Sequence, residues 1–128
     1  MKRKLISFID TETNDLNKPL GASLDRQPNI TEIYHAACTP DLKIIDAVDT
    51  LIYSPKPQPD FIIRHTGITD EMLLDAPKFE TVFKHIKKLL DKSQILVAQN
   101  LTFDKQILEN EAARIGKKFK WPPLLYCT

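Results

Sequence analysis

The chain has 128 residues, one domain of ordinary size and enough material to bury a core. Its 18 basic and 17 acidic residues leave a formal charge of +1, so a blanket of basic charge for nucleic acid is excluded, and any such contact must be local or metal-assisted. Two cysteines, Cys38 and Cys127, make neither a disulfide framework nor a metal spacing. No apolar run reaches the length of a signal-peptide core or a membrane span, so a reduced cytoplasmic protein is the expectation.

Leu5, Ile6, Phe8 and Ile9 form an almost unbroken apolar run, the pattern of a strand buried on both faces. It stops at Asp10 and Glu12, separated by Thr11. The stretch from Asn14 to Pro28 is rich in turn formers and lacks a period, which predicts a loop. Ile30–Cys38 predicts a second strand, "TPD" at Thr39–Asp41 a turn, and Ile44–Tyr53 a third strand, together a meander. Pro55, Pro57 and Pro59 then block regular pairing.

Beyond Pro77 the period changes. Phe79, Val82, Phe83, Ile86, Leu89 and Leu90 recur at helical spacing, with lysines on the other side. Ile95–Ala98 predicts a short strand. A helix follows from about Thr102 to Ile115, with Phe103, Ile107, Leu108, Ala112 and Ile115 inward and Gly116 ending it. "PPLLYCT" opens another strand. Three strands, helix, strand, helix, strand is an α/β order: a mixed central sheet, a three-stranded antiparallel meander plus parallel strands, flanked by helices.

Residues two apart in a strand point to the same side, so Asp10 and Glu12 project together and their charges repel. A hard divalent cation such as Mg²⁺ or Mn²⁺ would relieve that repulsion. On the residues alone a second reading stays open, two acids in the loop after the strand, facing water. Asp104, in the first turn of the second long helix, and Asn100, in the turn before it, lie where ligand sites of α/β sheets gather. An acid in a helix's first turn is also favoured by the helix dipole alone. The lysine groups 84, 87, 88, 92 and 117, 118, 120 read as solvated faces.

The segments "FIDTET", "HTGITDEML" and "LVAQNLTFDKQIL", in this order, resemble the DnaQ-like 3′–5′ exonucleases, the DEDD family of the RNase H-like fold. The first matches the family's Exo I motif with Asp10 and Glu12, and "NLTFD" matches Exo II with Asp104. The resemblance implies hydrolysis of DNA or RNA from single-stranded 3′ ends, using two divalent ions, Mg²⁺ or Mn²⁺. Asp10 would bridge both ions, Glu12 would bind the first and Asp104 the second. Thr11 and Thr13 would lie along the terminal nucleotide and Leu16 against its base, unless Leu16 is an ordinary buried loop residue. Asn100 would fix the loop or touch the nucleotide. His65, in the H-x-G-I-T stretch, reads more readily as structural than as a substrate contact.

The family's third motif supplies a fourth acid and a His or Tyr for the attacking water. No acid follows Glu111 here and no histidine follows His85, and Tyr126 reads as core. The expectation is therefore a single exonuclease-like domain over residues 1–128 that lacks its C-terminal part and is weak or inactive by itself. The opposing reading is a non-catalytic module of the same fold that binds nucleic acid or a polymerase-like partner. A third is an unrelated α/β metalloenzyme such as a phosphatase. The long, polar connection from Asn17 to Asn29 is either a shaper of substrate choice or a tolerated insertion.

Overall fold

The computed structural model describes residues 3–15 and 22–128. Strand β1 (Leu5–Thr13) is the centre of a five-stranded sheet, with β2 (Ile30–Cys38) antiparallel beside it and β3 (Ile44–Leu51) antiparallel beyond that. On the other flank β4 (Ser93–Ala98) runs parallel to β1, and β5 (Leu124–Cys127) runs parallel to β4, giving the order β3-β2-β1-β4-β5. The α/β meander-plus-parallel sheet expected from the sequence is the one observed. No helix among the described residues is long and apolar enough to cross a membrane.

Two long helices, α3 (Phe79–Asp91) and α4 (Leu101–Arg114), pack against one face of this sheet. That face carries the odd residues of β1: Leu5 and Ile9 join Ile33, Val48, Phe83, Ile86, Leu90, Leu96, Ile107 and Leu108 in one buried cluster. Burying each large aliphatic chain contributes about 1.5–3 kcal/mol, which is what holds α3 and α4 in place. The even residues behave differently. Ile6 and Phe8 are half-buried, and their neighbours across β4 and β5, Leu124 and Tyr126, are 59% and 62% exposed. The expectation of a first strand buried on both faces is thus corrected, and Tyr126 is a surface residue rather than core. A continuous apolar run tells that a strand is central, but not whether both of its faces are covered.

Two short helices that periodicity did not signal lie before α3. The first, α1 (Asp60–Thr66), closes on Gly67 in the left-handed region at φ 76°, where glycine avoids the Cβ penalty. The second, α2 (Asp70–Leu74), is capped by Thr69, whose hydroxyl accepts from the Met72 N–H. Helices of 7 and 5 residues span too few turns for an apolar stripe to repeat. Among the described residues of the 14–28 connection, Leu24–Arg26 form a 3-10 turn.

Two polar devices brace the scaffold. Beneath β1, Ser93 donates to the Leu89 carbonyl at 2.8 Å, so it accepts from Ser7 at 2.6 Å, and Ser7 in turn accepts from His35 Nε2–H at 2.8 Å. This fixes His35 as the neutral ring with Nδ1 bare and without a hydrogen bond. At the far end of α4, the buried Glu111 accepts from the Ile30 N–H at 2.7 Å and pairs with Arg114 at 3.1 Å. Arg114 then donates to the Leu24 and Gln27 carbonyls, tying α4 to the segment that leads into β2.

Candidate active site

Strand β1 continues through Thr13, so Asp10 and Glu12 stand on its even face and not in a following loop. Asp10 is exposed and Glu12 is half-buried. The pairing places Tyr34 and Asp49 in line with Asp10, and Glu32 in line with Glu12. Four carboxylates therefore share this end of the open sheet face. Burial, then the charges of Asp10 and Glu32, push the Glu12 carboxyl above its ordinary pKa, while His65 opposes that shift. Burial, then Asp49 and Asp10, raise Glu32 likewise.

Asp104 arrives from the other side. It lies in the first turn of α4, its N–H bonded to the Asn100 carbonyl, and it is only 3% exposed. The Thr11 hydroxyl, on the helix-covered face of β1, donates to its carboxylate at 2.6 Å. Burial is the chief cause that raises the Asp104 pKa to about 6; Thr11 counters it, and the charges of Asp10 and Glu12 add to it. All three motif acids thus lie close enough to feel one another.

They form one electrostatic neighbourhood but not a finished ligand set. Among the described residues, no three of His, Cys, Asp and Glu come together so as to hold a single ion. The donor chemistry nevertheless suits a hard divalent cation, since only carboxylate oxygens are offered and the charge of Asp10 makes both Glu12 and Asp104 harder to ionise. The Thr11 hydroxyl engages Oδ1 of Asp104, and an ionised carboxylate keeps further lone pairs with which to meet an ion.

The remaining sequence-predicted residues divide. His65, in the last turn of α1, is exposed and near enough to Glu12 to favour its ionised form. Asn100 is exposed at the N-terminus of α4, without a side-chain capping bond. The Thr11 and Thr13 side chains are buried, Thr11 on Asp104 and Thr13 on the Asp15 carbonyl at 2.7 Å. Leu16 lies outside the described residues. Sequence reasoning overlooked Glu32; the only available signal was an acid alternating with apolar residues in a strand beside the one that carries Asp10 and Glu12.

A family model described as exonuclease, of the RNase T type, matches residues 7–127. The DNA polymerase III subunit epsilon of Treponema pallidum is 34% identical over 111 residues, covering 86% of this chain and 47% of that protein. The PolC-type DNA polymerase III of Caldanaerobacter subterraneus subsp. tengcongensis is 36% identical over 76 residues, 58% of this chain and 5% of that protein. The chain therefore spans half or less of the length of these relatives. Among solved structures, exonuclease X in complex with a 5′-overhanging duplex DNA matches with a TM-score of 0.63 and 24% identity, over 95% of this chain and 58% of that one. At that identity the likeness shows the RNase H-like fold.

Proposed function

The chain belongs to the DnaQ-like exonuclease family, and on that premise we propose that it is a metal-dependent exonuclease domain removing nucleotides from the 3′ ends of DNA or RNA. The observation that carries the reading is the meeting of two motifs far apart in sequence: Thr11, between Asp10 and Glu12 on β1, donates to the Asp104 carboxylate on α4 at 2.6 Å. Asp10 and Glu12 stand on the accessible sheet face, where a strand end can reach them. In this reading Asp10, Glu12 and Asp104 would hold the divalent ions. Bound there, such ions supply Lewis-acid stabilisation of the scissile phosphate and an activated water. The protein's own part is positional. The rigid end of β1 fixes the first two carboxylates, and the Thr11 hydroxyl keeps the third ionisable inside an apolar surround. His65 places positive charge, when protonated, beside Glu12, and Asn100 marks the mouth of the site. Thr13, the last residue of Exo I, and Leu16 shortly after it would meet the terminal nucleotide. A single cytoplasmic domain that meets a polymerase-like partner completes the reading.

One observation favours the non-catalytic alternative: among the described residues, no three of His, Cys, Asp and Glu form a cluster that could hold an ion. A single assay separates the two. The chain extended at its C-terminus through the family's third motif, incubated with Mg²⁺ or Mn²⁺, should shorten a 5′-labelled single-stranded oligonucleotide stepwise from its 3′ end, and Asp10→Ala should abolish the shortening. Binding of the oligonucleotide by that extended chain without shortening, in either metal, refutes the nuclease and leaves the binding module.

A further inference from the structure

A second concave site lies in the helix layer, away from the motif acids. Gly116 adopts φ 70° at the end of α4, and the Lys117 N–H bonds the Ala112 carbonyl at 2.9 Å. The left-handed turn sends residues 117–121 back alongside α4. Between them runs a groove of about 470 Å³, floored by Ala112, Phe119 and Trp121 and rimmed by Glu109, Lys117 and Lys118. That size is within the range of about 300–1,000 Å³ usual for ligand clefts.

The floor is set before anything binds. Phe119 is 4.8 Å, centroid to centroid, from Phe83 and 6.4 Å from Phe79, so α3 fixes it from below. Trp121 packs 5.4 Å from Phe119, and the Lys105 ammonium lies 5.2 Å above the Trp121 ring. Lys105 also pairs with Glu109 at 3.3 Å, which uses the one acid of the rim. Lys117, Lys118 and Lys120 are exposed, and among the described residues no acid pairs with them.

We propose that this groove is a docking site for an acidic peptide segment of a protein partner, anchored by one or two large apolar side chains. The apolar floor selects the anchor, and the unpaired lysines select flanking carboxylates, which steer the encounter. Two observations favour a peptide over a nucleic acid strand. Phe119, Ala112 and α4 belong to the helix-covered side of the sheet, whereas Asp10 and Glu12 stand on the opposite face. Lys105 covers one face of the Trp121 ring, removing a platform on which a base would stack. The site is independent of the nuclease reading.

Trp121 is the only tryptophan of the chain and lines the groove, so its fluorescence reports occupancy directly. The probe is the acetylated peptide Glu-Glu-Leu-Glu-Phe-Glu, titrated at low salt. The expected result is a saturable emission change. Its dissociation constant should rise tenfold or more when glutamine replaces every glutamate, when alanine replaces both Leu and Phe, or when the protein carries Lys117→Glu with Lys118→Glu. The two altered peptides are tested on the unchanged protein, so the proposal stays exposed even if the double variant folds poorly. No saturable response, an equal response to the glutamine peptide, or tighter binding of an oligo-dT strand to the same groove overturns it.

Discussion

The Thr11 hydroxyl donates to the Asp104 carboxylate across 2.6 Å, joining the first and second motifs through the underside of β1. Both side chains are nearly inaccessible, at 6% and 3%. A hydrogen bond to a charged acceptor is worth about 1.5–3 kcal/mol, roughly twice a neutral one. Thr11→Val keeps the shape and removes the donor. The expected loss is about 2 kcal/mol at pH 8, where Asp104 is ionised, and about 1 kcal/mol at pH 5, where it is largely protonated. Urea denaturation at the two pH values measures both; an equal loss would mean that the bond does not serve the charged form.

Asp104 should itself destabilise the metal-free protein. Its pKa rises from 3.8 to about 6 on folding, first through burial. The folded state therefore holds the proton more tightly, so the contribution of Asp104 to stability is greatest below pH 3.8 and is lost as pH climbs through 6. The shift corresponds to about 3 kcal/mol at pH 8. Asp104→Asn should recover much of that in metal-free buffer while flattening the pH dependence above 4. Added Mn²⁺ should raise the Tm of the parent protein at pH 8 and leave the Tm of Asp104→Asn nearly unmoved. A variant less stable than the parent at pH 8 would contradict the account.

His35 works in the acid range. The ring is fully buried, its Nδ1 has no partner, and burial lowers its pKa from 6.5 to about 4. Protonation would place an unpaired N–H in the core. The group's contribution is intact above pH 6.5 and is lost as pH falls through 4, by about 3 kcal/mol in all. His35→Leu should cost stability at pH 7 through the lost bond to Ser7, yet remove this acid-side slope. In the parent protein, the His35 ring resonance should not titrate between pH 7 and 5; a midpoint near 6.5 would refute the assignment.

The sequence exposed the sheet because Ile30–Cys38 and Ile44–Leu51 are apolar, β-branched stretches separated by turn formers, and the long helix because Phe79–Asp91 repeats its apolar residues at helical spacing. That Asp10 and Glu12 share one face was legible as well, since side chains two apart in a strand point the same way. What stayed hidden were relationships without local signature. The coverage of β1 on one face only depends on where α3 and α4 pack. The buried side of α4 carries two carboxylates, Asp104 and Glu111, which dilute the apolar stripe. Nothing in "DTE" reveals that the Thr11 hydroxyl faces Asp104 on a helix 93 residues further along the chain.

Glu111 is the last of these hidden groups, and its removal should be the costliest change away from the motif acids. Burial raises its pKa, while the Ile30 N–H and Arg114 hold it toward the ionised form. Glu111→Ala leaves the Ile30 N–H unpaired and takes the one carboxylate that meets the Arg114 guanidinium, so a loss of about 3–5 kcal/mol is expected. Glu111→Gln keeps an acceptor for Ile30 and gives up only the charge, so it should lose less than half as much. Arg114→Ala spares that backbone bond but releases the Leu24 and Gln27 carbonyls. Amide exchange in residues 22–29 should then quicken while the exchange of β4 stays slow. The tie thus couples α4, which carries Asp104, to the strand entrance beside Thr13, and a uniform rise in exchange across the sheet would show that Arg114 braces the whole fold instead.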